Sequence, residues 1–269
     1  MVQIEERLPS RMLIGRDRLF YSGLLGKEMK TRRVGAIAVY VAIDGDLEAR
    51  IGPGPWEIRR IVAVPAYAPH QLRSQSGYVA GLFIEPESVD RRAAGEFIAQ
   101  VNRGSEDDQL IRRILEARRD VTHIRDAGGF STAEFDHYFL RRKLKPREVD
   151  TRVRHILGRM LDELPEATVS ANQCAREVGL STSRFLHLFK ENTDVSFRTQ
   201  RVWKRARRFM DHANRSESLT DVALDLGYSD SSHFSHAIRS SFGLKPKSIR
   251  TGSRGLQLCV GEDYVLSGV

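Results

Sequence analysis

The chain has 269 residues, 41% of them hydrophobic, with 43 basic against 35 acidic side chains and a formal charge of +8. That is enough apolar material for two domains of ordinary size, and the two cysteines, Cys174 and Cys259, exclude a disulfide framework and a four-thiolate zinc site. Charges are scattered through the first twenty residues, and nowhere does an apolar run of roughly eighteen residues occur, so the expectation is a cytoplasmic protein that is neither exported nor membrane-spanning.

A basic balance suits a polyanionic partner, although a solvated basic face has the same composition. The distribution says more: residues 1–150 carry 25 basic and 22 acidic side chains, residues 151–250 carry 17 and 11, and the tail carries 1 and 2. From Val34 to Pro86 the text is rich in Val, Ile and Tyr and is punctuated by turn signals at 44–46, 52–55, 65–70 and 74–77, which predicts short strands in a small antiparallel barrel or sandwich. After Ser88 the period becomes helical. Phe97 and Val101, then Leu110, Ile114 and Leu115, recur at three- and four-residue steps around a polar break at 104–108. The stripe from Leu110 to Leu115 suits either packing on the chain's own barrel or a contact between subunits. A third helical segment is expected from about Ser131 to Lys143. The stretch 145–150 reads as a joint, with the domain boundary near Pro146. Beyond it Val153, Ile156, Leu157, Met160, Leu161 and Leu164 form one apolar stripe that ends at Pro165.

Two similar units follow. In the first, Ala171, Cys174, Ala175 and Val178 make one apolar face, Gly179 stops the helix, and Ser181 is placed to cap a second helix. That helix turns Phe185, Leu188 and Phe189 inward and Ser183, His187 and Lys190 outward. Cys174 is a small core residue in this reading. In the second unit Val222, Ala223 and Leu226 line the first helix and Gly227 breaks it. The next helix buries Phe234, Ala237, Ile238 and Phe242 and presents Ser232, Ser235, His236 and Arg239. Helix, glycine turn and capped helix is the helix-turn-helix pattern. Short polar outward faces suit approach to base edges and phosphates, though a merely solvated face remains the alternative.

Residues 196–214 join the units, with Phe197, Val202, Phe209 and Met210 as apolar positions. A helix of about seventeen residues there spans roughly 25 Å, which with the width of the bundles approaches the roughly 34 Å between successive major-groove faces. Lys204, Arg205, Arg207 and Arg208 suit phosphate contacts and salt bridges to nearby acids equally well.

The order of Gly179, Leu180 and Ser181, the arginine-rich connector, and then Leu219 to Ala223, Gly227 to Asp230, Ser232 to Ser235, Gly243 and Arg250 resembles the DNA-binding domain of AraC/XylS-type transcription regulators, over about Val169 to Arg250. The resemblance implies that the exposed faces of the second helices read DNA through Ser183, Leu186 and His187 and through Ser232, His233, Ser235 and His236, and Arg184, Lys190 and Arg239 join them as candidate DNA contacts on the same helices. Leu186 is assigned to thymine methyl groups or the sugar-phosphate wall, with bundle packing as the alternative. Three departures stand out: Asp194 where a glycine is usual, His236 for a frequent arginine, and Ile238 for a frequent phenylalanine. The phrases at 62–71 and 82–86 resemble a degraded cupin-type sensor domain. No histidine precedes His70, so the ligands of a metal-binding cupin are missing and His70 is read as a structural or pocket residue.

The expected chain is therefore α+β. A cupin-like β-barrel with following helices fills residues 1–146, an all-α double helix-turn-helix domain with a long connecting helix fills 147–252, and a tail of unassigned role fills 253–269. Tyr40, Trp56, Tyr67, His70 and Phe83 are candidates to line an effector pocket in the barrel, against the plainer reading that they form its core. Double-stranded DNA, a second copy of the chain, RNA polymerase and a small-molecule effector are the implied partners, with no membrane, cofactor, metal or catalytic residue. Two rival classes fit the sequence less well. An enzyme, either a cupin oxygenase or a DNA-repair alkyl acceptor, lacks the histidines or the thiolates it needs. A nonspecific nucleic-acid binder explains the charge but neither the paired faces nor a separate N-terminal domain.

Overall fold

A computed structural model describes residues 10–103, 108–119, 129–162, 170–253 and 255–266. The polar break at 104–107, Leu164 and Pro165 lie outside these residues. The strand-rich half begins earlier than the sequence suggests, with β1 (Arg11–Ile14), β2 (Arg18–Leu24) and β3 (Glu28–Arg32) ahead of β4 (Ile37–Ala42). Arg11, Arg16 and Arg18 disguise that start. Arg18 is buried and held by Asp136 in a two-pronged ion pair, Nε to Oδ1 at 2.7 Å and Nη2 to Oδ2 at 3.0 Å.

The remaining strands are β5 (Leu47–Ile51), β6 (Glu57–Arg59), β7 (Ile61–Val64), β8 (His70–Ser74), β9 (Tyr78–Ile84) and β10 (Gln257–Val260). They make a six-stranded sheet, β10-β1-β2-β9-β4-β7, and a four-stranded sheet, β3-β8-β5-β6. Every residue of β4 is buried because the strand serves two cores. Ile37, Val39 and Val41 face the helices, while Ala38, Tyr40 and Ala42 face the second sheet with Met29, Leu47 and Leu72. The expected closed barrel is absent among the described residues. At β7, the free edge of the larger sheet, Asn102 donates to the Ala63 carbonyl and accepts from its N–H, both at 2.8 Å. An amide side chain thus satisfies the backbone groups that a closing strand would have used.

Three helices cover the far face: α1 (Arg91–Arg103), α2 (Asp108–Arg119) and α3 (Thr132–Leu140). Leu110, Ile114 and Ala117 pack into the same core as Phe20 and Val39, so the stripe on α2 is spent inside its own subunit. Ser131 caps α3 in a reciprocal box with Glu134. The joint is tied down by Asp90 N–H donating to the Lys145 carbonyl at 2.8 Å and by a bridge between Val89 and Pro146.

Helix α4 (Thr151–Asp162) brings Val153, Ile156, Leu157 and Met160 into the core of the first helical unit. That unit is α5 (Ala171–Glu177) and α6 (Thr182–Thr193). The connector α7 (Phe197–Arg208) continues as a single 3-10 turn to His212, and α8 (Leu219–Asp225), α9 (Ser231–Phe242) and α10 (Pro246–Gly252) follow. The tail then returns to the other half of the chain. Strand β10 lies parallel to β1, pairing Arg11 with Gln257 through Ile14 with Val260, and Tyr264 donates to buried Asp211 at 2.9 Å. Ending the chain at Gly252 removes buried Leu256, Cys259 and Tyr264 and bares the edge of β1. At about 1.5–3 kcal/mol per large buried side chain, urea denaturation is expected to show at least about 3 kcal/mol of lost stability, with increased self-association.

Candidate nucleic-acid interface

Each helix of the paired units starts on a side-chain cap. Ser170, Ser181, Ser196, Ser218 and Asp230 accept from the backbone N–H three residues on, and Ser170 also forms a reciprocal box with Gln173. Such caps contribute about 0.5–2 kcal/mol each and fix where a short helix begins. That start decides which residues face outward. On α6, Phe185, Leu188 and Phe189 are buried, while Ser183, Arg184, Leu186, His187 and Lys190 are exposed. Leu186 is 39% exposed and is not part of the apolar core beneath it. His187 Nε2 lies 3.0 Å from Glu191 Oε1.

On α9, Phe234 and Ile238 are buried, Ser232, His233, His236 and Arg239 are exposed, and Ser235 is half-buried. His233 is partly engaged, its Nδ1 3.2 Å from Ser229 Oγ and its ring edge-on to Tyr228. Phe242 is half-buried, packed against the core of the second unit and also facing Trp203, ring centroids 5.7 Å apart. The C-terminal end of α9 leans on the N-terminal half. Arg33 N–H donates to the Ser240 carbonyl at 2.9 Å, and Arg32 Nη1 to the Phe242 carbonyl at 3.2 Å. Gly243, at φ 74°, allows this approach, since a Cβ there would lie 2.7 Å from the Lys30 carbonyl. A groove separates His236, Arg239 and Ser240 from Glu28, Lys30, Thr31 and Gln71.

The connector's cations divide by role. Lys204 is 1% exposed, with Nζ 2.8 Å from Glu85 Oε2 and a second bond to Glu87. Arg207 Nε lies 2.9 Å from Glu85 Oε1, and Trp203 Nε1 donates to the same carboxylate at 3.0 Å. Burial works against the charge of Lys204, but Glu85 and Glu87 outweigh it and hold its pKa above the ordinary value. Arg205 donates to the Gly227 carbonyl at 3.1 Å and stacks on Tyr228, and Arg208 is buried. The choice between phosphate contact and salt bridge thus falls to salt bridges for Lys204 and Arg207. Val202, expected inside, is 48% exposed, and Trp203 takes its place in the core. Gly35 makes room for it, since a Cβ there would sit 2.2 Å from the indole. Sequence reasoning missed Glu85, Gln200 and Trp203. The signal was a stripe at Phe197, Gln200, Lys204 and Arg207, one helical face with three polar members.

Of the five proposed pocket residues, Tyr40 and His70 lie in the core between the sheets, and Trp56 lies outside it under Arg73, whose Cζ is 4.0 Å from the ring. Tyr67 donates to Gln200 Oε1 at 2.7 Å, across the two halves. Phe83 alone of the five lines the cavity between the halves. Burial, and then the nearby Arg32 charge, push His70 down to about 3. Its Nδ1 donates to the Ala68 carbonyl at 2.9 Å, leaving Nε2 to accept from Arg32 Nε at 3.1 Å.

The helix-turn-helix domain family matches residues 174–252. The HTH-type transcriptional activator RhaS of Escherichia fergusonii is 32% identical over 108 residues, which is 38% of this chain and 37% of that protein. The chain thus matches little more than a third of the length of this curated relative. Crystal structures of ToxT from Vibrio cholerae share the fold across both halves. One gives a TM-score of 0.53 at 12% identity over 87% of this chain and 96% of ToxT, and another gives 0.52 at 11% over 87% and 97%. The chain thus joins a strand-rich half to two paired, capped helix-turn-helix units. The match to the helix-turn-helix domain family covers the C-terminal units alone, and the likeness across both halves is one of fold.

Two measurements follow from these contacts. Lys204→Met leaves Glu85 buried with one donor fewer and is expected to cost about 3–5 kcal/mol in denaturation, while the slope of DNA affinity against salt stays unchanged because Lys204 meets no phosphate. The second concerns pH. The unfolded chain protonates His70 below about 6.5 but the folded one only near 3, so this stabilisation is complete above 6.5 and is lost as pH falls. At about 1.36 kcal/mol per pH unit, roughly 2 kcal/mol disappears between pH 6.5 and 5. His70→Gln is expected to flatten the stability profile by that amount.

Proposed function

We propose that the chain is a sequence-specific, double-stranded-DNA-binding transcription regulator whose two helix-turn-helix units read neighbouring stretches of the major groove. The observation that carries this reading is the pair of capped helices, each presenting a short polar face above a packed core. In this reading Ser183, Arg184, Leu186, His187 and Lys190 make the first reading face. Ser232, His233, Ser235, His236 and Arg239 make the second. The connector and its 3-10 turn, from Phe197 to His212, extend about 26 Å at the rises of the two helix types, a length that suits adjacent grooves. The N-terminal half is proposed to answer a small-molecule effector by altering how it holds the connector and α9. A second copy of the chain and RNA polymerase are the other proposed partners.

In a binding assay at fixed salt, Ser232→Ala and His236→Ala are each expected to weaken a selected cognate site by about 1–3 kcal/mol, with little change on random DNA. Leu186→Ser is expected to weaken cognate binding while leaving the denaturation midpoint in place, because Leu186 stands outside the core cluster. Equal losses on cognate and random sequences would instead point to an electrostatic binder without a reading face.

A further inference from the structure

The edge of the smaller sheet beside α9 departs from regular strand geometry. The pairing of β3 with β8 slips between Met29, opposite Leu72, and Arg32, opposite His70, so three steps along β3 face two along β8. The extra residue makes a β-bulge. Met29 and Arg32 stay buried, and Lys30 and Thr31 both face outward, where strict alternation would have turned Thr31 in. Lys30 and Thr31 line a groove whose other wall is His236, Arg239 and Ser240 of α9. The end of α9 is seated on this stretch of β3. Arg33 N–H donates to the Ser240 carbonyl at 2.9 Å, and a Cβ on Gly243 would stand 2.7 Å from the Lys30 carbonyl oxygen.

The charge here is one-sided. Glu28, the acid on the groove wall, is held by Arg73 at 3.1 Å, and Gln71 is held by Arg50. Lys30, Arg33 and Arg239 are exposed, and among the described residues none of the three side chains has an ion pair or hydrogen bond. A lysine on an edge strand commonly guards the edge against pairing with another chain. At Lys30 that duty is already filled, because α9 sits on the edge. Arg239 belongs both to the groove and to the face proposed to read DNA, so the surface runs unbroken from α9 to β3. A helix lying in the major groove has a sugar-phosphate strand along each side of it. Chain that flanks the helix end therefore meets phosphates and not base edges, and a duplex carries one such charge per roughly 1.7 Å of its axis.

We propose that the bulged edge of β3 is a second, sequence-independent DNA contact, in which Lys30 and Arg33 neutralise phosphates of the strand bordering the groove that α9 enters and the Thr31 hydroxyl donates beside them. The proposal rests on the reading of α9 as a DNA-reading helix and adds to it a contribution from the N-terminal half. The seat of α9 on β3 then does more than hold two halves together. It sets where the β3 cations stand against the duplex, so a shift of the sheet alters affinity without touching a base contact.

The test measures the affinity of the full chain for a duplex carrying a selected site and for a random duplex of the same length, each over a series of salt concentrations. Lys30→Ala and Arg33→Ala are each expected to reduce the slope of log affinity against log salt by about 0.9, and the double variant by roughly twice that. Phosphates are alike in every sequence, so the loss is expected to be equal on both duplexes, roughly fivefold to tenfold per side chain at ~0.1 M salt. Lys143→Ala is the control. That residue is exposed beyond the end of α3, on the far side of the larger sheet, and its loss is expected to leave the slope unchanged. Melting temperatures are expected to hold because both β3 side chains are exposed; Lys30→Gln and Arg33→Gln replace the alanine variants where they do not. An unchanged slope in both variants, a loss confined to the selected site, or an affinity that rises because β3 had obstructed the duplex overturns the proposal. Discrimination between the duplexes with an unaltered slope overturns only the β3 contact. A wild-type chain that binds both duplexes equally overturns the reading of α9, and one that binds neither overturns both.

Discussion

The carboxylate of Glu85, just past the end of β9, fixes the connector helix on the sheet. It is 2% exposed and receives donors from Trp203, Lys204 and Arg207, three residues of α7. A buried carboxylate without partners is prohibitively costly, so only a narrow range of helix positions satisfies it. Replacing such a network with apolar side chains of the same shape is often as stable or more so. What the polar version supplies is directional: the donors of α7 must arrive together, and a helix displaced by one turn leaves charges stranded.

That constraint reaches both proposed reading faces because α7 belongs to both helical units. Phe197 at its start packs in the core of the first unit, while Ala206 and, just beyond its end, Phe209 pack in that of the second. Moving α7 therefore moves α6 and α9 together. The second unit has further ties to the N-terminal half through Arg33 with Ser240 and through the return of β10 to β1. Of the two faces, the one on α9 opens toward β3 and β8 across a groove. A molecule seated between the halves can change DNA binding only to the extent that it prefers one relation of the halves over another. The cavity between them has walls from both, Phe83 from one half and Met210 from the other.

The helical half was legible because its signals are local. Serine caps, glycine stops and three-to-four-residue apolar spacing each act within a few residues, and Ser181, Phe185, Phe189, Phe234 and Ile238 stand where those signals put them. The strand-rich half was less legible because its decisive contacts are remote. Arg18 looks like a surface residue until Asp136, far along the chain, is brought to it. Asn102 looks like part of a polar helix face until it is seen sealing β7. Residue type alone marks Tyr40, His70 and Trp56 as pocket candidates, yet the sheets use Tyr40 and His70 to fill their core and leave Trp56 on the outside. The cavity is walled by two halves distant in sequence, so no local pattern announces it.

Asp194 shows how a local departure acquires a remote reason. It ends α6 in the left-handed region, at φ 66°, where a glycine is usual and a side chain costs on the order of 1 kcal/mol or more. Its carboxylate is gripped by Arg147 of the joint, at 2.9 Å, and by Arg91 at the start of α1. Exposed ion pairs contribute little one at a time, but this one joins three separately placed elements at the point where α6 stops. Backbone strain there is offset by contacts a glycine cannot make. Helix α6 is thereby tied to the N-terminal half through Asp194 and α9 through Ser240, so each has a direct contact with that half in addition to the connector they share.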